Sequence, residues 1–120
     1  RVDIRSGSFR SDPLPEGPDM ISLVRVLYDH ADDTVRGLLA AVYKALPPGG
    51  RIVISEPMRG SSGPERPGDT YFAFYCMAMQ TGRARSPQEI GELLGQAGFE
   101  SIHHIPTHRP FVTSVITAER

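Results

Sequence analysis

The sequence holds a single cysteine, no cluster of Lys and Arg, and no apolar run near the roughly 20 residues that cross a bilayer. Each scarcity excludes something. Cys76 cannot close an internal disulfide, and its place in the apolar run FAFYCMAM reads as a buried thiol in a reducing, cytoplasmic setting. With 13 basic against 14 acidic residues, a net charge of −1 and no basic patch, nucleic acid is not an expected partner. No charged-then-apolar leader opens the chain, so it reads as soluble, without a transmembrane segment. Repeats and low-complexity tracts are also missing. At 120 residues and 39% hydrophobic content, there is material for one core, forming one domain or one part of a larger one. The opening residue is Arg1, inside a strand-like run (Arg1–Arg5), which sets up the expectation of a piece cut from a longer domain.

What is present is sharp punctuation by 11 Pro and 12 Gly. Ser11–Asp19 is turn chemistry. Met20–Leu27 (MISLVRVL) is a mostly apolar run of strand length, the pattern of a strand buried on both faces. Asp32 or Asp33 can cap the next helix, where Val35, Leu38, Leu39, Val42 and Leu46 share one face. Pro47, Pro48, Gly49 and Gly50 stop it, and Arg51–Ser55 is a second strand. Strand, helix, strand at these lengths predicts a right-handed crossover between parallel strands, hence the α/β class. Arg59–Gly68 is loop chemistry, and Thr70–Met79 (TYFAFYCMAM) reads as a helix. Ser86, Pro87 and Glu89 make a capping box for a helix whose Ile90, Leu93, Leu94 and Ala97 face one way before Gly98. Ser101–Ile105 and Phe111–Thr117 read as closing strands able to pair antiparallel.

Ligands of open parallel sheets bind beyond the carboxyl ends of the strands. Two places qualify. Tyr28-Asp29-His30 puts a phenol, a carboxylate and an imidazole at one strand end, where a proton could be taken; the alternative is a capped turn with two packed or hydrated rings. Glu56, after RIVIS, could orient a base or bind a hydroxyl, or be a solvated loop carboxylate. Phe72, Phe74, Tyr75, Met77 and Met79 read either as the wall of an apolar substrate pocket or as plain core. Arg83 and Arg85 could hold a carboxylate or stay hydrated. His103, His104 and His108 lack a partner at ligand spacing, so no metal site is expected.

The order LYDHADD, helix, ALPPGGRIVISEPM, aromatic helix, GRARSPQEIGELLGQAGF resembles the S-adenosylmethionine-dependent small-molecule O-methyltransferases of bacteria and plants. RVLYDHAD, ISEPM and GDTYFAFYCMAMQTGRARS look most like the branch acting in carotenoid biosynthesis. The resemblance implies the C-terminal part of a class I Rossmann-like sheet, mostly parallel with an antiparallel last strand and flanking helices. It implies a preceding helical dimerisation domain, hence a homodimer, and methyl transfer to a hydroxyl of a small apolar molecule. In the family the strand-end motif is H-D-W-x-D with histidine as base. Here Tyr28 stands at that histidine and His30 at the tryptophan, so His30 becomes the expected proton acceptor, with Tyr28 on the substrate oxygen and Asp29 and Glu56 beside them. The family's second orienting glutamate is replaced by Ala84. On the cofactor side the resemblance points to Ser8, Phe9 and Arg25, with the family's acid at position 8 lost. No G-x-G loop opening a helix occurs in the sequence, so little cofactor binding is expected of this chain alone. The alternative is a non-catalytic module of the same fold that binds an apolar ligand or a partner chain; a further one is association through an exposed sheet edge.

Overall fold

The computed structural model describes residues 2–60, 66–105, 107–109 and 112–120. Along the chain these form β1 (Met20–Val24), a 3-10 turn (Leu27–Asp29), α1 (Asp32–Ala45), β2 (Arg51–Glu56), α2 (Arg66–Met79), α3 (Pro87–Ala97), β3 (Glu100–Ile105) and β4 (Ser114–Glu119). The strands make one mixed sheet in the order β1-β2-β4-β3. β1 and β2 run parallel, as the α1 crossover requires, and β4 lies antiparallel to both β2 and β3. The α/β class holds, and the two closing strands pair antiparallel as their sequences suggest.

Strand periodicity decides which face is covered. Ile52 and Ile54 of β2 sit in register with Ala118 and Ile116 of β4, and all four are buried. Against them lies the apolar stripe of α1, with Val35, Leu38, Leu39, Val42 and Leu46 all buried, together with Ile90, Leu93 and Leu94 of α3. Each such aliphatic side chain contributes about 1.5–3 kcal/mol by leaving water. α3 starts with the expected reciprocal cap: Glu89 N–H donates to Ser86 Oγ at 3.2 Å, and Ser86 N–H to Glu89 Oε2 at 2.7 Å. It ends at Gly98, whose φ of 101° is the left-handed value that glycine adopts without a Cβ clash.

Several expectations change. β1 stops at Val24, because Arg25 takes a φ of 56° and turns the chain out of the strand. Nor is β1 buried on both faces: it is an edge strand with one neighbour, and Met20 and Val24 are 54% and 60% exposed. Those side chains share the sheet face of Val53, Ser55, Val115 and Thr117, which is only half-buried. Val2–Arg5 forms no strand and is exposed, since no described segment pairs with it; Arg1 lies outside the described residues. Neither Asp32 nor Asp33 caps α1: the N-cap is Ala31, and the two aspartates occupy the first turn, where their charge suits the helix dipole. α2 begins at Arg66, earlier than expected, and of the loop at Arg59–Gly68, residues 61–65 lie outside the described residues, as does Phe111. No helix among the described residues is long and apolar enough to cross a membrane.

Candidate active site

The carboxyl ends of β1 and β2 are joined by a turn rather than left as open strand ends. Arg25 N–H still donates to Ser55 O at 2.8 Å, and then the chain winds through Leu27–Asp29 and closes with His30 N–H on Leu27 O at 3.1 Å. Two buried ionisable side chains, Glu56 and Arg85, grip this turn. Glu56, the last residue of β2, is fully buried, and its Oε2 accepts from Leu27 N–H at 2.9 Å while Oε1 has no partner among the described residues. Burial pushes its carboxyl up to about 7, opposed by that hydrogen bond and by the positive charge of Arg85. Glu56 is thus not a solvated loop acid, and its Oε2 holds backbone.

Arg85, one of two arginines flanking a loop, is not hydrated but fully buried. Its guanidinium meets Asp32 Oδ1 at 2.6 Å and 3.0 Å and donates to the carbonyls of Leu27 and His30, both at 2.8 Å. Arg83 pairs with Asp32 at 3.1 Å and with Glu89 at 2.8 Å, and together the two arginines hold the Asp32 carboxyl below its usual range.

Tyr28 and His30 leave the turn toward different neighbours. Tyr28 is buried, edge-on to Phe72 with ring centroids 5.9 Å apart and 5.7 Å from Tyr75. The Arg25 guanidinium lies 5.6 Å from the Tyr28 ring and 5.7 Å from Phe72. Ala84, standing where the resemblance expects a glutamate, packs into this same cluster with Cys76. Ala84 thus adds an apolar side chain, not a carboxylate, to the cluster around Tyr28. His30 instead lies 5.2 Å from the Phe9 ring, and its Nδ1 is 3.2 Å from Arg10 Nη2. Arginine only donates, so this contact makes Nδ1 the acceptor and leaves the proton of the neutral ring on Nε2. Burial first, and the Arg10 charge second, lower the His30 pKa, keeping it neutral at pH 7. The Asp29 carboxylate accepts no hydrogen bond among the described residues; its carbonyl takes Thr81 Oγ1 at 3.3 Å.

The expected pocket wall divides. Phe72 and Tyr75 face Tyr28, whereas Phe74, Met77 and Met79 are 63%, 69% and 54% exposed. Phe74 and Met77 line a groove of about 780 Å³ with Arg59 and Arg83, which meets the Tyr28 cluster at Cys76 and Ala84. The cofactor-side residues divide too: Phe9 touches His30, Arg25 joins Tyr28, and Ser8 is tied into a turn in which its N–H donates to Asp12 Oδ2 at 2.8 Å. Phe9 offers one aromatic face beside His30, and the Ser8 hydroxyl accepts from Arg10 N–H at 3.3 Å. Among the described residues, no three His, Cys, Asp or Glu side chains are placed to hold a metal ion. Sequence reasoning missed Arg10, Thr81 and Gly82, none of which carries a periodic signal; Arg85 was visible only as a charge in a loop.

A family profile described as an O-methyltransferase domain matches residues 1–100. The chain is 58% identical over all 120 residues to demethylspheroidene O-methyltransferase of Rhodobacter capsulatus and 55% identical to that of Cereibacter sphaeroides, of which it spans 30% and 32%. Human N-acetylserotonin methyltransferase, solved in complex with SAM, superposes on 98% of the chain with a TM-score of 0.86 at 31% identity, the chain covering 33% of that structure. The fold of the chain thus matches that of a solved methyltransferase, and this chain belongs to the O-methyltransferase family.

Proposed function

We propose that the chain is the C-terminal part of the catalytic domain of an O-methyltransferase that moves the methyl group of S-adenosylmethionine to a hydroxyl of a small apolar molecule, a hydroxylated carotenoid being the leading candidate. The identity to the two demethylspheroidene O-methyltransferases, over the whole of this chain, carries the reading. The half-exposed sheet face and the unpaired edge of β1 support an upstream half that covers them. A buried free thiol at Cys76 agrees with a bacterial cytoplasmic setting, and the uncovered surface with a homodimer of the longer protein.

Methyl transfer of this kind is an in-line displacement: the acceptor oxygen bonds to the methyl carbon, the carbon–sulfur bond breaks, and the hydroxyl proton leaves to a base. S-adenosylmethionine supplies the activated methyl group when bound. The protein's part is positioning and proton removal. His30 is the residue we assign as proton acceptor, since its neutral state is favoured; Arg10 must release Nδ1 before either ring nitrogen can act. Tyr28 is assigned to the acceptor oxygen, with Phe72 and Tyr75 as apolar wall. Arg10 on His30 and Ala84 beside Tyr28 favour one second reading, a non-catalytic module of the same fold binding an apolar ligand or partner chain.

Calorimetric titration of S-adenosylmethionine separates these. The 120-residue chain should bind it hardly at all, and a polypeptide extended upstream through a G-x-G loop should bind it saturably and methylate a hydroxylated carotenoid. Micromolar binding by the short chain would contradict the half-domain reading. An extended polypeptide that neither binds nor methylates would leave the non-catalytic module.

A further inference from the structure

Four consecutive carbonyls, those of Leu27, Tyr28, Asp29 and His30, each accept a hydrogen bond from a side chain of one short stretch, residues 76–85. Arg85 donates to Leu27 O and His30 O, both at 2.8 Å, Cys76 Sγ to Tyr28 O at 3.5 Å, and Thr81 Oγ1 to Asp29 O at 3.3 Å. Between these donors the backbone itself comes into contact. At Gly82, with a φ of 75°, a Cβ would stand 2.1 Å from Tyr28 O. From the opposite side Glu56 takes the Leu27 N–H.

A three-residue 3-10 turn has almost no stability of its own, because its nucleation cost is spread over so few bonds. What holds it must come from outside. The donor side is dominated by Arg85, and the identity of that residue is informative. A buried guanidinium is costly, and as an ion pair with Asp32 alone it would do no better than an apolar pair. Its planar fork, however, reaches one carboxylate and two carbonyls three residues apart, which neither lysine nor an apolar side chain can do.

We propose that Arg85 is the positioning residue of this site: with Thr81 and Gly82 it holds the Leu27–His30 turn in the conformation that sends Tyr28 toward α2 and His30 toward Phe9. Arg85 touches neither ring and acts through the backbone between them. Its consequence for methyl transfer rests on the O-methyltransferase reading; the positioning does not.

The test has two arms. In the 120-residue chain, amide hydrogen exchange at Leu27, Asp29 and His30 is compared with exchange at Ile52 and Ile54. Arg85→Met should speed the turn amides by about tenfold or more while the β2 amides change little, and Arg85→Lys should recover part of the protection. In the polypeptide extended upstream, the same substitutions should lower kcat by about 10–100-fold with the Kd for S-adenosylmethionine moved less than about threefold. Uniform acceleration of exchange through β2 and α1, or an unchanged kcat, would overturn the proposal, because either would make Arg85 a stability residue only. If Arg85→Met does not fold, Thr81→Val carries the test, since Thr81 is exposed. Faster exchange of the Asp29 and His30 amides by a few-fold, with a lower kcat, is then expected, and no change in either would overturn the proposal. Local exchange effects in a polypeptide without methyltransferase activity would leave the positioning intact and sink the reading it rests on.

Discussion

At His30 two influences act in one direction. Partial burial and the neighbouring Arg10 both disfavour the imidazolium, so the ring is neutral at pH 7, and its Nδ1 lone pair becomes available once Arg10 lets go. In the extended polypeptide, His30→Gln should therefore cut methyl transfer by about 100-fold or more, and Tyr28→Phe should cost less. Single-turnover rates measure both, and equal, negligible losses would remove the assignment. Glu56 makes a separate prediction about stability. Its carboxyl is raised from 4.5 to about 7 in the folded chain, so between those pH values the unfolded state releases a proton that the folded state keeps. Stability from this group is thus full below pH 4.5 and is lost as pH rises to about 7, by on the order of 3 kcal/mol. His30, lowered by folding, acts in the opposite sense in part of this window, so the difference between wild type and Glu56→Gln is the quantity to read. Urea unfolding at several pH values should show Glu56→Gln with a markedly less negative slope of stability against pH; parallel curves would contradict the buried acid.

At the scale of elements, α1 and α3 were legible because periodicity and caps are local. The stripe from Val35 to Leu46 and the reciprocal Ser86–Glu89 cap follow from 3.6 residues per turn and from orphan N–H groups at a helix start. Ser86→Ala should accordingly cost about 1 kcal/mol in thermal or urea unfolding, with the rest of the fold intact. α2 was harder to read. Its apolar residues occupy more than one face, and spacing could not say that Phe72 and Cys76 turn inward while Phe74 and Met77 remain exposed. Nor could it show that the segment after α2 folds back onto Tyr28, because the close approach at Gly82 joins residues more than fifty positions apart.

The whole molecule presents a covered sheet face and a half-covered one. β1 is an unpaired edge with Met20 and Val24 exposed, and the outer face of α2 adds Tyr71, Phe74 and Met77. Surfaces of this kind associate unless covered. Sedimentation velocity of the 120-residue chain should show a size that grows with concentration, and upstream extension should suppress the part that arises at the β1 edge. A monomer at all concentrations would mean that this edge is protected in some other way.

The α/β class, the faces of α1 and α3, the antiparallel closing strands and the family are all legible in the amino-acid order, because these depend on short-range periodicity and on the order of motifs. That β1 is an edge, that Glu56 and Arg85 are buried against backbone rather than hydrated, and that Tyr28 and His30 face different neighbours emerges only once the chain is folded. Each of those depends on which distant segments meet. A buried charge is tolerated only where the fold supplies partners from elsewhere in the chain, and no local pattern encodes where those partners will be.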